Sequence, residues 1–348
     1  MNTTDTHRAQ SDAAALRRPA GVRLTWLLVA VGAVVVLVLA SFALGSRSVN
    51  LDEVVSGLLG DASGIGPAAV AARIPRTALA VLVGAMLAMS GATMQGVTRN
   101  PIADPGILGI SLGASLAVVI GIAMFQMSSA AWFVVVAIVG AALAAAFVYL
   151  VGSLGYGGMT PLKLALAGAA TAAALSSLVS VVLLPRVDIM TTFRHWQVGG
   201  VGGATWERVG LTVPFLIVGA TICLALARGL NTLALGDDVA AGLGEHVART
   251  RLIGWSGAVV LCGSATAVAG PIVFVGLIVP HVCRLLFGPD YRWVLPASAV
   301  VGAGLLVAAD VVGRVVARPE EIEVGIVTAL VGAPFFVWIV RRQKVREL

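Results

Sequence analysis

The sequence predicts an all-α integral membrane protein of about ten transmembrane helices, with both termini cytoplasmic and a weak internal repeat. Three observations point there: an apolar excess too large for a water-soluble surface, ten apolar runs, and Lys and Arg gathered at both ends of the chain.

Of 348 residues, 59% are hydrophobic, a further 41 are glycine and only 11% are charged, giving a mean hydropathy of +0.99. Soluble chains run near ~45–50% apolar with glycine included and ~25% charged. So little polar surface cannot coat one or two soluble domains of this length, and the bilayer is the natural alternative solvent. The composition excludes a secreted disulfide scaffold, a disordered chain, a nucleic-acid binder and an ordinary cytosolic enzyme.

A spanning helix needs about 20 mostly apolar residues. Candidate runs fall at 24–44, 77–97, 107–125, 131–151, 163–184, 209–228, 252–269, 272–288, 294–312 and 324–340. The stretch from Ile253 to Pro280 carries no charge and could form one long helix, but Gly270-Pro271 in its middle favours two.

Cytoplasmic flanks collect Lys and Arg. The head carries Arg8, Arg17, Arg18 and Arg23, and the tail Arg341, Arg342, Lys344 and Arg346, so both ends belong inside and the span count is even. Ten spans place 15 of the 23 basic residues inside and eight outside, namely Arg47, Arg73, Arg76, Arg186, Arg194, Arg208, Arg314 and Arg318. The net charge of +6 is therefore mostly a topology signal, and no basic, aromatic-interleaved patch supports nucleic-acid binding. The first apolar run is too long for a cleaved signal and reads as a retained anchor. Residues 1–20 are expected to be a disordered cytoplasmic leader, and 21–348 one polytopic transmembrane domain.

Cys223, Cys262 and Cys283 lie in apolar runs without C-x-x-C spacing and read as small core residues, not as a metal site or disulfide. His7, His195, His246 and His281 are scattered. The only lysines, Lys163 and Lys344, do not follow a glycine as a phosphate-binding P-loop requires. From Pro105 to Leu162 there is no Asp, Glu, Lys, Arg or His, although two complete runs lie inside that stretch. Proton-coupled carriers and intramembrane enzymes need ionisable groups at depth, and Asp310, near the end of a run, comes closest. A polytopic pathway without its own energy source implies a partner that supplies energy.

The densest patterns are Arg73-Ile74-Pro75-Arg76, Arg99-Asn100-Pro101-Ile102-Ala103-Asp104-Pro105-Gly106, Gly276-Leu277-Ile278-Val279-Pro280-His281 with Arg284, and Gly332-Ala333-Pro334-Phe335. In this order across ten runs they resemble the permease subunits of ATP-binding-cassette importers for iron-siderophore complexes, haem and cobalamin, over about residues 45–342. The resemblance implies a homodimer or paired heterodimer of permeases. It also implies two cytoplasmic ATPase subunits, which carry ATP and Mg²⁺, and an extracytoplasmic substrate-binding protein. This chain itself would hold no cofactor, catalyse no reaction and sit in the cytoplasmic (inner) membrane. Ferric siderophore is the expected cargo, with cobalamin or haem as alternatives and a proton-coupled carrier as the rival from another class.

Arg73 and Arg76 precede the second run, with Pro75 fixing the local backbone; they read either as snorkelling interfacial anchors or as a positive platform for acidic groups of the binding protein. The resemblance favours the platform and adds Arg314, which Asp310, four residues earlier, could orient. The longest inner loop, about Gly229 to Arg251, contains Leu235, Gly236, Asp237, Asp238, Val239, Ala240, Ala241, Gly242, Leu243 and Gly244. It reads as a solvated loop or, by the resemblance, as short coupling helices lying in a groove of the ATPase, with the two Asp suited to a helix N-terminus. Asn100, Pro101 and Pro105 read as a structural turn near the inner gate, joined there by Pro280, His281 and Arg284, with the histidine a structural hydrogen-bonding group.

Gly109/Gly113 and Gly199/Gly203 are at helix spacing and suit close helix packing. Gly84, Gly91 and Pro101 recur with identical spacing as Gly263, Gly270 and Pro280, which is the weak repeat. Two positions depart from the family pattern: Glu323-Val324-Gly325 lacks a proline before its glycine, and Asp290-Tyr291-Arg292 carries Tyr in place of His.

Overall fold

The computed structural model describes residues 19–61, 63–106, 109–127, 129–154 and 161–344. All but the last two residues of the expected leader lie outside them. The chain forms α1 (Ala20–Ala43), α2 (Leu51–Leu58), α3 (Ile65–Thr98), α4 (Ile110–Phe125), α5 (Ala130–Ser153), α6 (Pro161–Leu183) and α7 (Val187–Val198). It continues through α8 (Trp206–Ala225), α9 (Ala227–Leu233), α10 (Asp237–Gly242), α11 (Val247–Ala269), α12 (Val275–Phe287), α13 (Tyr291–Val316) and α14 (Val324–Lys344).

Seven helices are long and apolar enough to cross a bilayer, and α4, α12 and α14 are shorter apolar helices, so every one of the ten runs is helical. Helices α3 and α11 form the interior, with 78% of each spanning window buried, whereas α1 is 6% buried and turns its Val and Leu side chains outward to lipid. Helix α3 packs on α13, α11 and α12; α5 packs on α4 and α11; α8 packs on α11.

Close approach explains several glycines. A methyl group at Gly84 would overlap the Gly302 carbonyl of α13, and one at Gly91 would overlap the Gly276 carbonyl of α12. Between helices in lipid, such contacts supply the packing that water-driven burial supplies elsewhere.

The charge-free stretch does break. Helix α11 ends at Ala269, Gly270 adopts φ +70°, and α12 starts at Val275. With 13 residues, α12 is only ~20 Å long, and in the irregular segment before it Gly270 and Ile272 are buried while Val273 faces outward. Gly200 N–H donates to the Ala269 carbonyl at 2.7 Å and Gly325 N–H to the Gly199 carbonyl at 2.9 Å, which ties this break to the end of α7 and the start of α14. Non-helical backbone at membrane depth is tolerated only when covered in this way.

Three sequence expectations change. Helix α3 begins at Ile65, not after Arg76, and runs 34 residues through Pro75, so both arginines lie inside it. Gly199 and Gly203 are not on a helix; both have positive φ in the segment between α7 and α8. The repeat positions occupy unlike settings: Gly91 is inside α3 whereas Gly270 follows α11, and Pro101 is in a turn whereas Pro280 is inside α12.

Candidate functional site

The functional candidates gather at the two ends of the bundle. At the end bearing the segments before α3 and after α13, four arginines brace the chain. The last carbonyls of a helix have no partners within it. Arg73 supplies them for α1, donating to the Phe42 carbonyl at 2.8 Å and the Ala43 carbonyl at 3.1 Å, and it also reaches the Arg47 carbonyl at 2.7 Å. Arg314 completes the cap through the Ser41 carbonyl at 3.1 Å, the Leu44 carbonyl at 3.0 Å and Ser41 Oγ at 2.6 Å. Arg318 donates to the Gly45 carbonyl at 2.8 Å. The positive charges also suit the negative end of the α1 dipole.

Asp310 stands between two of these arginines, 2.8 Å from Arg76 and 2.9 Å from Arg314, with its side chain 2% exposed. The pair Asp310–Arg314 expected from their spacing is thus present, and Arg76 joins it from α3. Arg76 also donates to Glu321 at 2.6 Å, and Ser46 Oγ donates to the other oxygen of that carboxylate at 2.8 Å. Burial pushes the Glu321 carboxyl up, but the bonds from Arg76 and Ser46 and the charges of Arg76 and Arg314 outweigh it, holding the group below the usual glutamate value.

A platform of three arginines facing solvent is therefore not what the structure contains. Arg73 and Arg314 are 6% and 1% exposed and face carbonyls inside the fold; Arg76 alone lies toward the rim. Apart from Asp310, four residues before Arg314, their partners are backbone atoms or lie hundreds of residues away, and neither kind leaves a sequence pattern.

At the opposite end, the segment between α8 and α11 is helical in two short pieces, and Arg251 belongs to α11, so the connection is shorter than Gly229 to Arg251. Gly236 takes φ +112° as α10 begins, and Asp237 and Asp238 occupy its first turn. Asp237 accepts from Arg251 at 2.8 Å and lies 3.5 Å from Arg99. Ala240 is fully buried and anchors α10, whereas Leu235, Val239 and Leu243 are 61%, 51% and 66% exposed. Val239 and Leu243, four apart along α10 and its C-cap, share one face, and Leu235 adds an exposed apolar side chain in the turn before Gly236. Ala241, Gly242 and Gly244 beside them are exposed as well.

The turn residues belong to this same end. Asn100 Oδ1 accepts from Ile102 N–H at 3.1 Å, Asp104 Oδ1 accepts from Gly106 N–H at 2.7 Å, and Pro101 and Pro105 sit in the turn they shape. Pro280 is within α12 and not in a turn. His281 meets the Phe335 ring edge-on at 6.0 Å, while Arg284 donates to Gln95 Oε1 at 2.6 Å, so these two side chains brace α12 against α14 and α3 respectively. Asn231 links α9 to α13, donating to Asp290 at 2.7 Å and accepting from Tyr291 N–H at 2.8 Å.

Two cavities were not foreseen. One of about 260 Å³ lies toward the braced end, among Phe133, Phe193, Trp196, Arg208 and Glu323. The other, about 280 Å³, lies at the α10 end and brings Gln95, Arg99, Pro101, Ala234, Arg284 and Tyr291 together. The three cysteines are buried and unpaired, and among the described residues no group of His, Cys, Asp and Glu is arranged to hold a metal.

Comparison with known proteins agrees with this architecture. The chain is 42% identical over 327 residues to the ferric enterobactin transport system permease protein FepD of Escherichia coli (strain K12), covering 92% of this chain and 97% of that one. It is 46% identical over 272 residues to the iron(3+)-hydroxamate import system permease protein FhuB of Bacillus subtilis (strain 168), covering 78% and 71%. A solved inward-facing structure assigned to a metal-chelate type ABC transporter matches with a TM-score of 0.78 at 28% identity, covering 92% of this chain and 99% of that one. Residues 33–342 match the model of the FecCD transport family. The chain belongs to the FecCD transport family and is a multi-pass membrane permease of the ATP-binding-cassette importer class.

Proposed function

We propose that this permease carries ferric siderophore across the cytoplasmic membrane, receiving it from a binding protein at the braced end and drawing energy from ATPase subunits at the α10 end. The observation that carries this reading is the set of exposed apolar side chains Leu235, Val239 and Leu243, borne on and beside a short helix that buried Ala240 anchors. Three large exposed apolar side chains on one short segment off the lipid-facing helices suit a helix-in-groove contact. The cargo is inferred from the iron-import names of FepD and FhuB. The Lys and Arg bias supports placing both termini and α10 in the cytoplasm.

ATP and Mg²⁺ belong to the partner subunits, and this chain performs no bond chemistry. Its part is to alternate between two arrangements whose balance the ATPase biases through α10, since a ligand shifts an equilibrium only by differential affinity. A second permease subunit, identical or paired, completes the pathway. Docking of the binding protein falls to Arg76 at the rim, with Arg73 and Arg314 holding the surface in shape.

The test is reconstitution in proteoliposomes with the cognate ATPase and binding protein, measuring uptake of radiolabelled ferric hydroxamate and of cobalamin. ATP-dependent iron uptake that requires the binding protein is expected. Uptake of cobalamin alone would replace the cargo, and uptake driven by a proton gradient without ATP would overturn the reading.

A further inference from the structure

The cavity of about 280 Å³ at the α10 end is a polar site that the transport reading does not use. Four of its seven lining residues, Gln95, Arg99, Arg284 and Tyr291, carry hydrogen-bonding side chains, and two of these are guanidinium groups. Among the described residues, none that lines it is acidic.

Arg284 is the central feature. Its partners are the neutral Gln95 Oε1 at 2.6 Å and the Tyr291 hydroxyl, and among the described residues no carboxylate pairs with it. Gln95 is itself fixed, because its Nε2 donates to the Gly276 carbonyl at 3.1 Å. A partly buried guanidinium held in place by neutral groups retains its full positive charge, and an enclosed charge gains most from an opposite one.

Arg99 is the second cation. It closes α3 with φ 53° and ψ 31°, a left-handed conformation that Gly or Asn adopts far more readily. The strained backbone turns an arginine to the rim of the cavity, where Asp237 lies at 3.5 Å and is held more closely by Arg251 at 2.8 Å. Both Arg99 and Asp237 are more than 40% exposed at this contact, so the pairing is weak.

Two arginines facing one cavity with a tyrosine hydroxyl between their helices make a recognisable donor set. The planar fork of a guanidinium matches the oxygens of a tetrahedral phosphate in pairs. The geometry points to a phosphate-binding site here, formed by Arg99, Arg284 and Tyr291. The ligand is a phosphate group, either inorganic phosphate or the monoester headgroup of an acidic phospholipid. Ala234 also lines the cavity, immediately before the α10 segment, so an occupant would tie α3, α12 and α13 to that segment.

The experiment uses the full chain, delipidated in a neutral detergent, and follows thermal unfolding at constant ionic strength. Inorganic phosphate is titrated against chloride in one arm, and phosphatidic acid against phosphatidylcholine in another. A saturable rise in melting temperature with inorganic phosphate assigns the free anion; a rise with phosphatidic acid alone assigns the headgroup; either supports the site. Arg284→Gln should abolish the rise. Should that variant fail to fold, Arg99→Gln at the exposed rim should raise the half-saturating concentration roughly tenfold or more, as for loss of one charge-assisted contact. No saturable rise in either arm, or an undiminished rise in Arg99→Gln, would overturn the proposal.

Discussion

Arg76 and Glu321 meet at 2.6 Å across the braced end of the bundle, although 245 residues separate them in sequence. The same guanidinium also holds Asp310, so every nitrogen of the arginine proposed for docking already faces a carboxylate of its own chain. An acidic side chain from the binding protein must then compete with Glu321, whose side chain is the more exposed of the two internal partners.

Glu321→Gln should therefore tighten docking of the binding protein by up to about fivefold, the scale of an exposed ion pair of up to ~1 kcal/mol. Surface plasmon resonance on nanodisc-embedded protein measures this directly. Weaker docking in this variant would mean that Glu321 builds the contact surface and does not compete for it.

The acid limit of this contact follows from the depressed Glu321 carboxyl. A carboxyl with a lowered folded value contributes stability that is fully present above the ordinary glutamate value of ~4.3 and is lost as pH falls through the lower folded one. The brace therefore holds throughout neutral pH. Unfolding profiles of wild type and Glu321→Gln should run parallel above about pH 5 and converge only in acid. Convergence at neutral pH would contradict the ion pair.

Asp310 presents the opposite case, because it is enclosed between Arg76 and Arg314. Removing one member of a buried charge cluster leaves the others uncompensated, at a cost of about 3–5 kcal/mol. Asp310→Asn should lower the melting temperature far more than Arg318→Ala, which loses only a bond from a partly exposed side chain to the Gly45 carbonyl. Equal effects would show that the cluster is hydrated and not closed.

How much of the molecule is readable from its sequence depends on what kind of contact each feature makes. Ten apolar helices and the break at Gly270-Pro271 are legible, because length, hydropathy and a Gly-Pro step are local signals. The start of α3 is not: Arg73, Pro75 and Arg76 look like a helix boundary, yet the helix passes through them and their charges are met by α1, α13 and the segment after it. Arg314 looks like a surface charge because the Ser41 and Leu44 carbonyls that receive it are backbone atoms more than 250 residues away. The pattern of Asp and Gly places the α10 segment, but the exposure of its apolar side chains is visible only once Ala240 is seen to be the buried one.

Glycine packing gives a paired test. Gly91→Ala places a methyl group against the Gly276 backbone, which cannot rotate away, and overpacking of this kind costs about 1–3 kcal/mol. At Gly32, on lipid-facing α1, an added methyl group would meet nothing within 4 Å, so Gly32→Ala should be neutral or stabilising by up to ~1 kcal/mol through helix propensity. Chemical unfolding in mixed micelles compares the two. A harmless Gly91→Ala would mean that α3 and α12 can separate freely, which would undermine the tight interior described above.

The exposed apolar residues on and beside α10 separate coupling from folding. Leu235, Val239 and Leu243 contribute little to the chain's own core, since each is more than half exposed, whereas Ala240 is fully buried. Replacing the three by Glu should leave the stability within about 0.5 kcal/mol of wild type, as for other surface changes. In the reconstituted system, however, it should remove transport-linked ATPase stimulation, because three desolvated apolar contacts become three charges facing a groove. Ala240→Glu should do the reverse, buckling α10 and lowering stability even without a partner. If the triple variant still couples fully, the ATPase grips another part of this end, and the neighbouring turn at Asn100 to Pro105 is the next surface to change.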